Sequence, residues 1–354
     1  RGRAPRAAGR RPAGEPGAEQ RGRGRCAGRG GCGVGRAEAA QGGRGAAAPL
    51  AGPRGPGQRE LPIVATPFQG SGFGAEVSGV SLADFMEPAQ ARQLRLLLRE
   101  HGVLLFRSQH GLAEPDVLDA ASVFGEPVPS AGMELPLAYY VVKDRSPELR
   151  PEDAWHSDNS FMSLPGGPTV LYAVKVPVSA DGQPFGDTLF ADAAAAADGL
   201  PAPLRRRAEG RRAAHNAAHN CGVALSEYAS GQKELPPDAE HPVLRRNPLS
   251  DREALFVSPA YTRRVVGLPP EASASLLRDL LGHATRPEFV HRHRWCEGDL
   301  LVWDNGRVLH KATTLEMPPG AERVMWRVQS RGPGIVETPE ARMPRGRRGS
   351  DGSK

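Results

Sequence analysis

A break in composition near residue 60 limits what this chain can fold into more than any other feature. Residues 1–60 are Arg, Gly, Ala and Pro with almost no large apolar side chains. Such a stretch cannot bury enough surface to offset its ordering entropy and is expected to be disordered. It holds thirteen arginines against four glutamates, so the +6 of the whole chain leaves −3 on residues 61–354. The basic character therefore belongs to the leader, and the rest of the chain has the balance of an ordinary, slightly acidic folded protein. Residues 336–354 repeat the Arg/Gly/Pro bias and are expected to form a loose basic tail. One folded domain is thus expected within residues 61–335, long enough to bury a sizeable core.

The leader begins with Arg rather than Met. Rich in Arg and poor in acids, it is expected to be an organellar transit peptide or a mispredicted start. It lacks the aromatic interleaving of an RNA-binding tail, so nucleic acid is not an expected partner. No apolar run approaches the roughly 18–20 residues that span a bilayer, so no membrane partner is expected either. Cys26, Cys32, Cys221 and Cys296 form no CxxC pair and no disulfide framework, which favours a reducing compartment. The cytoplasm is the expected location unless the leader is a genuine transit sequence. A homo-oligomer is compatible with the sequence, which does not specify one.

Between residues 61 and 335 the pattern is many short apolar runs with a few helices. Pro88 to His101 puts Leu94, Leu97 and Leu98 on one helical face, and Gly102 stops it. Glu114 to Phe124 is a second helix with Pro115 in its first turn, and 201–209 and 270–284 are two more. Strands are expected at 103–106, 168–176, 254–258, 289–295, 299–303, 307–310 and 323–330. That mixture predicts a mainly β fold with flanking helices, a sandwich or barrel.

Three patterns carry chemistry. His156 and Asp158 are two apart in Trp155-His156-Ser157-Asp158-Asn159, so in extended chain their side chains leave one face and can converge on an ion. The turn, strand and turn of Gly298–Asn305 lead into Arg307-Val308-Leu309-His310, which sets a second imidazole at a strand end. Two imidazoles and one carboxylate make the facial triad that leaves three positions of a non-haem iron open. In Glu322–Gln329, Arg323, Arg327 and Gln329 share one face of a strand. Arginines on an inward face are costly unless an anion meets them, and a guanidinium fork suits a carboxylate. Two further groups read as non-ligating: His215 and His219 beside Cys221, and His291 and His293, expected with Arg292 and Arg294 to form an outward polar face.

These residues, with others in the same order, resemble the taurine/phenoxyacetate (TauD/TfdA) family of iron(II), 2-oxoglutarate dioxygenases. The blocks are Gly74–Val80, His101–Arg107, Phe124-Gly125, Trp155–Asp158, Gly186–Phe190, His241–Val243, Ala254–Val257, Gly298–His310 and Arg323–Arg327. The resemblance implies a double-stranded β-helix, or jelly roll, with helices packed outside. It implies Fe(2+) held by His156, Asp158 and His310, with 2-oxoglutarate and O2 as co-substrates. Thr188 and Arg323 match the clamp on the far carboxylate of 2-oxoglutarate. Arg327 matches an arginine near co-substrate and substrate, and Asn159 and Phe161 fall where the substrate pocket is lined. The implied partner is a small, anionic organic molecule, hydroxylated with release of succinate and CO2. Pro127–Gly132 stands where the taurine enzymes themselves carry a pocket His and Tyr, which puts taurine in doubt. Two competing classes are a non-catalytic jelly roll that only binds a ligand, and a zinc hydrolase with the same three ligands, which needs no Thr188/Arg323 clamp.

Overall fold

Apolar runs of four or five residues, closed by Gly, Pro, Asp or Asn, are too short for helices and pair as strands. The computed structural model describes residues 62–84, 86–129, 135–143, 153–217, 219 and 237–332. The expected disordered leader and basic tail, and Cys26, Cys32, Cys221 and Ser130–Gly132, lie outside the described residues. Among those described, no helix is long and apolar enough to cross a membrane.

The strands are β1 (Val64–Pro67), β2 (Ala75–Ser78), β3 (Val103–Phe106), β4 (Pro127–Val128), β5 (Leu137–Lys143), β6 (Thr169–Lys175), β7 (Thr188–Asp192) and β8 (Arg212–His215). They continue as β9 (Ala239–Pro242), β10 (Leu244–Arg246), β11 (Glu253–Leu255), β12 (Thr262–Val265), β13 (Val290–His293), β14 (Leu300–Trp303), β15 (Val308–Ala312) and β16 (Glu322–Ser330). The longer helices are α1 (Pro88–His101), α2 (Glu114–Ser122), α3 (Ala193–Asp198), α4 (Ala202–Ala208) and α5 (Pro270–Ala284).

The major sheet runs β1-β2-β3-β14-β6-β16-β4, with β5 also paired to β16. A minor sheet runs β13-β7-β15. Strand β14 lies antiparallel between β3 and β6 and is buried on both faces. Its Leu301 and Trp303 join Val103, Leu105, Ala173, Met325, Phe190 and Val308 in a core built from both sheets. Leu300 and Val302 point the other way, into a core with Leu94, Leu98, Val117 and Phe124 from the α1 and α2 region. This is the jelly roll with outer helices. Leu94 and Leu98 are fully buried, each worth roughly 1.5–3 kcal/mol relative to exposure.

A buried arginine joins the two layers. Arg307, in the turn between β14 and β15, pairs with Asp192 at 2.8 Å and donates to the Glu100 carbonyl at the end of α1, 2.6 Å away. Gly102 caps α1 with φ 76°. Any Cβ there would sit 2.8 Å from the Arg307 side chain, so glycine satisfies both the left-handed backbone and the close approach. The turn that leads to His310 is thereby fixed to a helix end and a neighbouring strand.

The alternation in 290–295 is as expected, but its sides are reversed. His293 is buried, its ring edge-on to Trp295 and its Nε2 3.2 Å from Asp299, and His291 stacks on Phe68. Arg292 and Arg294 are the exposed pair. With polar residues on both faces, hydropathy could not tell which face was inner, and Asp299 and Phe68 supply the inward partners.

Candidate active site

The site starts with a backbone event. His156 and His310 form an isolated antiparallel bridge, exchanging both hydrogen bonds at 2.9 and 2.8 Å. Residues directly opposed in an antiparallel pair carry their side chains on the same face. The two imidazoles therefore lie side by side, ring centroids 4.1 Å apart. The chain then turns at residues 158–161, and Asp158 folds back over the pair. Asp158 Oδ1 lies 3.6 Å from His156 Nε2 and 3.6 Å from His310 Nε2. All three residues are buried. Among the described residues they are the sole group of three His, Cys, Asp or Glu side chains whose ligand atoms lie within 4.8 Å of one another.

The protonation states suit ligation. His156 Nδ1 lies 2.8 Å from the Ala154 carbonyl, an arrangement in which Nδ1–H donates and Nε2 is left bare. Burial, reinforced by the neighbouring His310, drives the His156 pKa to about 3, so the ring is neutral. Burial alone would push the Asp158 carboxyl up, but Arg327 and the two imidazoles outweigh it and hold it well below the usual range. Metal bonds near roughly 2.1 Å put adjacent octahedral ligands about 3 Å apart, and the carboxylate oxygen at 3.6 Å from each imidazole is close to that separation. Two imidazoles and one carboxylate fit a divalent metal.

Strand β16 supplies the cations. Arg323 is 4% exposed, its guanidinium over the Trp295 ring at 5.7 Å. The Trp295 Nε1–H donates to Thr188 Oγ1 at 3.0 Å, leaving the Thr188 hydroxyl hydrogen to donate elsewhere. Thr188 and Arg323 are thus both buried against one indole, the hydroxyl at its N–H edge and the guanidinium over its face. Gly186, at φ 75°, leaves room for the arginine, because a Cβ there would meet its Cδ at 2.7 Å. Arg327 is also turned inward and donates to Tyr140 Oη at 2.7 Å. It meets Asp158 Oδ1 at 2.5 Å, a contact with the triad carboxylate that the sequence did not foretell.

Asn159 adopts φ 53° and donates to Gln329 Oε1 at 3.1 Å. Phe161 is buried edge-on to Tyr261, ring centroids 5.0 Å apart, and Tyr261 stands edge-on to His156 at 6.0 Å. The triad and Arg327 are thus in direct contact, while Thr188 and Arg323 meet at Trp295. Tyr140, Tyr261, Thr169 and Asn305 were missed as site residues, since their roles depend on contacts between distant parts of the chain. His215 belongs to a separate pair. It is buried edge-on to His241 at 5.3 Å, against Phe256, with Nδ1 3.2 Å from Ser160 Oγ.

The sequence matches the family described as "Taurine catabolism dioxygenase TauD, TfdA family" over residues 65–329. The chain belongs to the TauD/TfdA family. It is 34% identical over 272 residues to the alpha-ketoglutarate-dependent 2,4-dichlorophenoxyacetate dioxygenase of Cupriavidus pinatubonensis, covering 71% of this chain and 92% of that protein. It is 31% identical over 257 residues to the alpha-ketoglutarate-dependent sulfate ester dioxygenase of Pseudomonas putida, covering 68% and 81%. A taurine dioxygenase structure from Burkholderia xenovorans superposes with a TM-score of 0.64 at 29% identity, covering 79% of this chain and 94% of that one. A structure of AAD-2 with Mn(II) and N-oxalylglycine gives a TM-score of 0.64 at 26% identity, covering 77% and 98%. As a TauD/TfdA member the protein is an oxidoreductase, a dioxygenase that uses Fe(II), 2-oxoglutarate and O2.

Proposed function

We propose that this TauD/TfdA dioxygenase hydroxylates a small anionic organic molecule, with His156, Asp158 and His310 holding Fe(II). The observation that carries this is the convergence of those three ligand atoms within 4.8 Å, in an interior that also receives Arg323 and Arg327 from one face of β16. When bound, the iron with 2-oxoglutarate and O2 supplies an oxidant able to hydroxylate a C–H bond, with release of succinate and CO2.

The chain's own residues bind and orient. Arg323 and the Thr188 hydroxyl would grip the far carboxylate of 2-oxoglutarate with charge-assisted hydrogen bonds, strengthened by burial. Arg327, anchored by Tyr140, would present positive charge to the substrate anion. Asn159 and Phe161 would line the substrate's place, with Tyr261 behind Phe161. Phe190 and Trp303 pack on His310, their ring centroids 6.2 and 4.8 Å from its own, which keeps water from its flank. We take residues 61–335 as the catalytic domain, a span that contains the whole family match.

The names of the relatives define the panel to try: aryloxy carboxylates, sulfonates and sulfate esters. Purified protein given Fe(II), ascorbate, O2 and 2-oxoglutarate should release succinate, and at least one panel anion should raise that rate above the background without substrate. Absence of iron-dependent 2-oxoglutarate consumption would refute the reading.

A further inference from the structure

Asp158 offers only one of its two oxygens to the site, and a buried relay explains why. Oδ1 faces the two imidazoles and takes the Arg327 contact, whereas Oδ2 accepts a hydrogen bond from Thr169 Oγ1 at 2.9 Å. Thr169 is wholly buried at the start of β6, and Asn305 is 2% exposed in the turn after β14. Asn305 Nδ2 donates to Thr169 Oγ1 at 2.8 Å and to the Gly167 carbonyl at 2.8 Å. Asn305 Oδ1 accepts from the Asp158 backbone N–H at 3.1 Å and from Trp303 Nε1 at 3.1 Å. The Ser157 hydroxyl donates to the Asn305 carbonyl at 2.6 Å.

The directions in this network are not interchangeable. Trp303 Nε1–H and the Asp158 amide only donate, and the Gly167 carbonyl only accepts, so the Asn305 amide has one orientation. Its Nδ2–H must then enter the Thr169 oxygen. The Thr169 hydroxyl, already an acceptor there, sends its own hydrogen to Asp158 Oδ2. All four hydrogen-bonding positions of the Asn305 side chain are used, which is what a buried amide needs if it is to hold a geometry.

We infer that Thr169, oriented by Asn305, is a positioning residue that keeps Asp158 Oδ2 out of metal coordination. The inference rests on the proposed ligand set of His156, Asp158 and His310. A carboxylate bound through one oxygen occupies one position and leaves three for co-substrate and oxygen, whereas one bound through both would take a second. The relay thus protects the third open position.

Mn(II) serves as the probe, read by its affinity and by the water-proton relaxation of the bound ion. The wild type should bind Mn(II) with three exchangeable inner-sphere waters. Thr169→Val and Thr169→Ala, which remove the hydroxyl with different effects on packing, should each lose about a third of the relaxivity per bound ion, as Oδ2 displaces one water. Their Mn(II) affinity should fall about 10- to 100-fold, the range expected when an outer partner of a ligand is removed. Thr169→Ser, which keeps the hydroxyl, should restore the wild-type relaxivity. Wild-type relaxivity per bound ion in both hydroxyl-free variants would overturn the inference whatever happens to affinity. Failure of the wild type itself to bind Mn(II) would instead strike the ligand assignment, and this inference with it.

Discussion

Two buried pairs of histidines lie in the same fold with opposite surroundings. His156 and His310 face each other with Asp158 3.6 Å from each and Arg327 behind it. His215 and His241 meet edge to face, and their neighbours are Phe256, the Ser160 hydroxyl and the Met162 carbonyl. Burial drives both His156 and His215 to about 3, with the partner imidazole adding to it in each case. A buried pair of imidazoles is therefore not what makes a metal centre. The converging carboxylate is, because it adds the negative charge and the third donor. The second pair instead supports from beneath the turn that carries Asn159 and Phe161.

Removing the carboxylate should break that comparison most completely. Asp158→Ala should lower metal affinity and turnover by more than about a hundredfold, beyond the usual cost of losing an outer partner, while thermal unfolding stays cooperative. Wild-type succinate release from this variant would contradict the assignment. Arg323→Ala should come next. Loss of one buried charge-assisted contact, about 1.5–3 kcal/mol, should raise the 2-oxoglutarate concentration for half-maximal turnover roughly 10- to 150-fold. A titration showing no change would put the co-substrate elsewhere.

The second pair should respond in stability rather than chemistry. His215→Ala should cost about 2–3 kcal/mol of unfolding free energy by chemical denaturation and leave Mn(II) affinity within about twofold, because its contact is to the Ser160 hydroxyl rather than to a ligand atom. A large loss of metal affinity would show the two pairs to be coupled. The pH dependence probes the same pair. A histidine whose folded pKa lies below its unfolded value binds its proton more readily in the unfolded chain. Its stabilising contribution is therefore complete above about 6.5 and declines as the pH falls toward the folded value of about 3. His215 should contribute a slope of up to about 1.4 kcal/mol per pH unit in that window. Metal-free His215→Phe should show a correspondingly shallower loss of stability between pH 6 and 4 (about 1 kcal/mol per unit less).

The sequence made some of this legible and hid the rest, for physical reasons. Strand β14 and the turn after it were readable because an unbroken apolar run between Asp residues has one sensible burial. Arg323 and Arg327 were readable because their period-2 spacing puts both on one face of a strand. Helix α3 was not foreseen: a run of alanines has no amphipathic stripe, and its start is set by Asp192, which caps the Ala194 and Ala195 amides. Thr169 and Asn305 look like ordinary strand-end and turn residues until residues 136 positions apart are brought to 2.8 Å. Arg327 was expected near co-substrate and substrate, and its direct contact with Asp158 depends on the turn at 158–161, which no spacing rule specifies.

The bridge between His156 and His310 has a consequence for exchange. Each of these residues donates its amide hydrogen to the other's carbonyl, within a buried region. Deuterium should therefore reach those two amides slowly whether or not an ion is bound, because opening them requires separating segments that the backbone itself ties together. A chelator would then empty the site without loosening its walls, and the protein would behave as a refillable socket, accepting a fresh ion on a timescale set by diffusion and dehydration rather than by refolding.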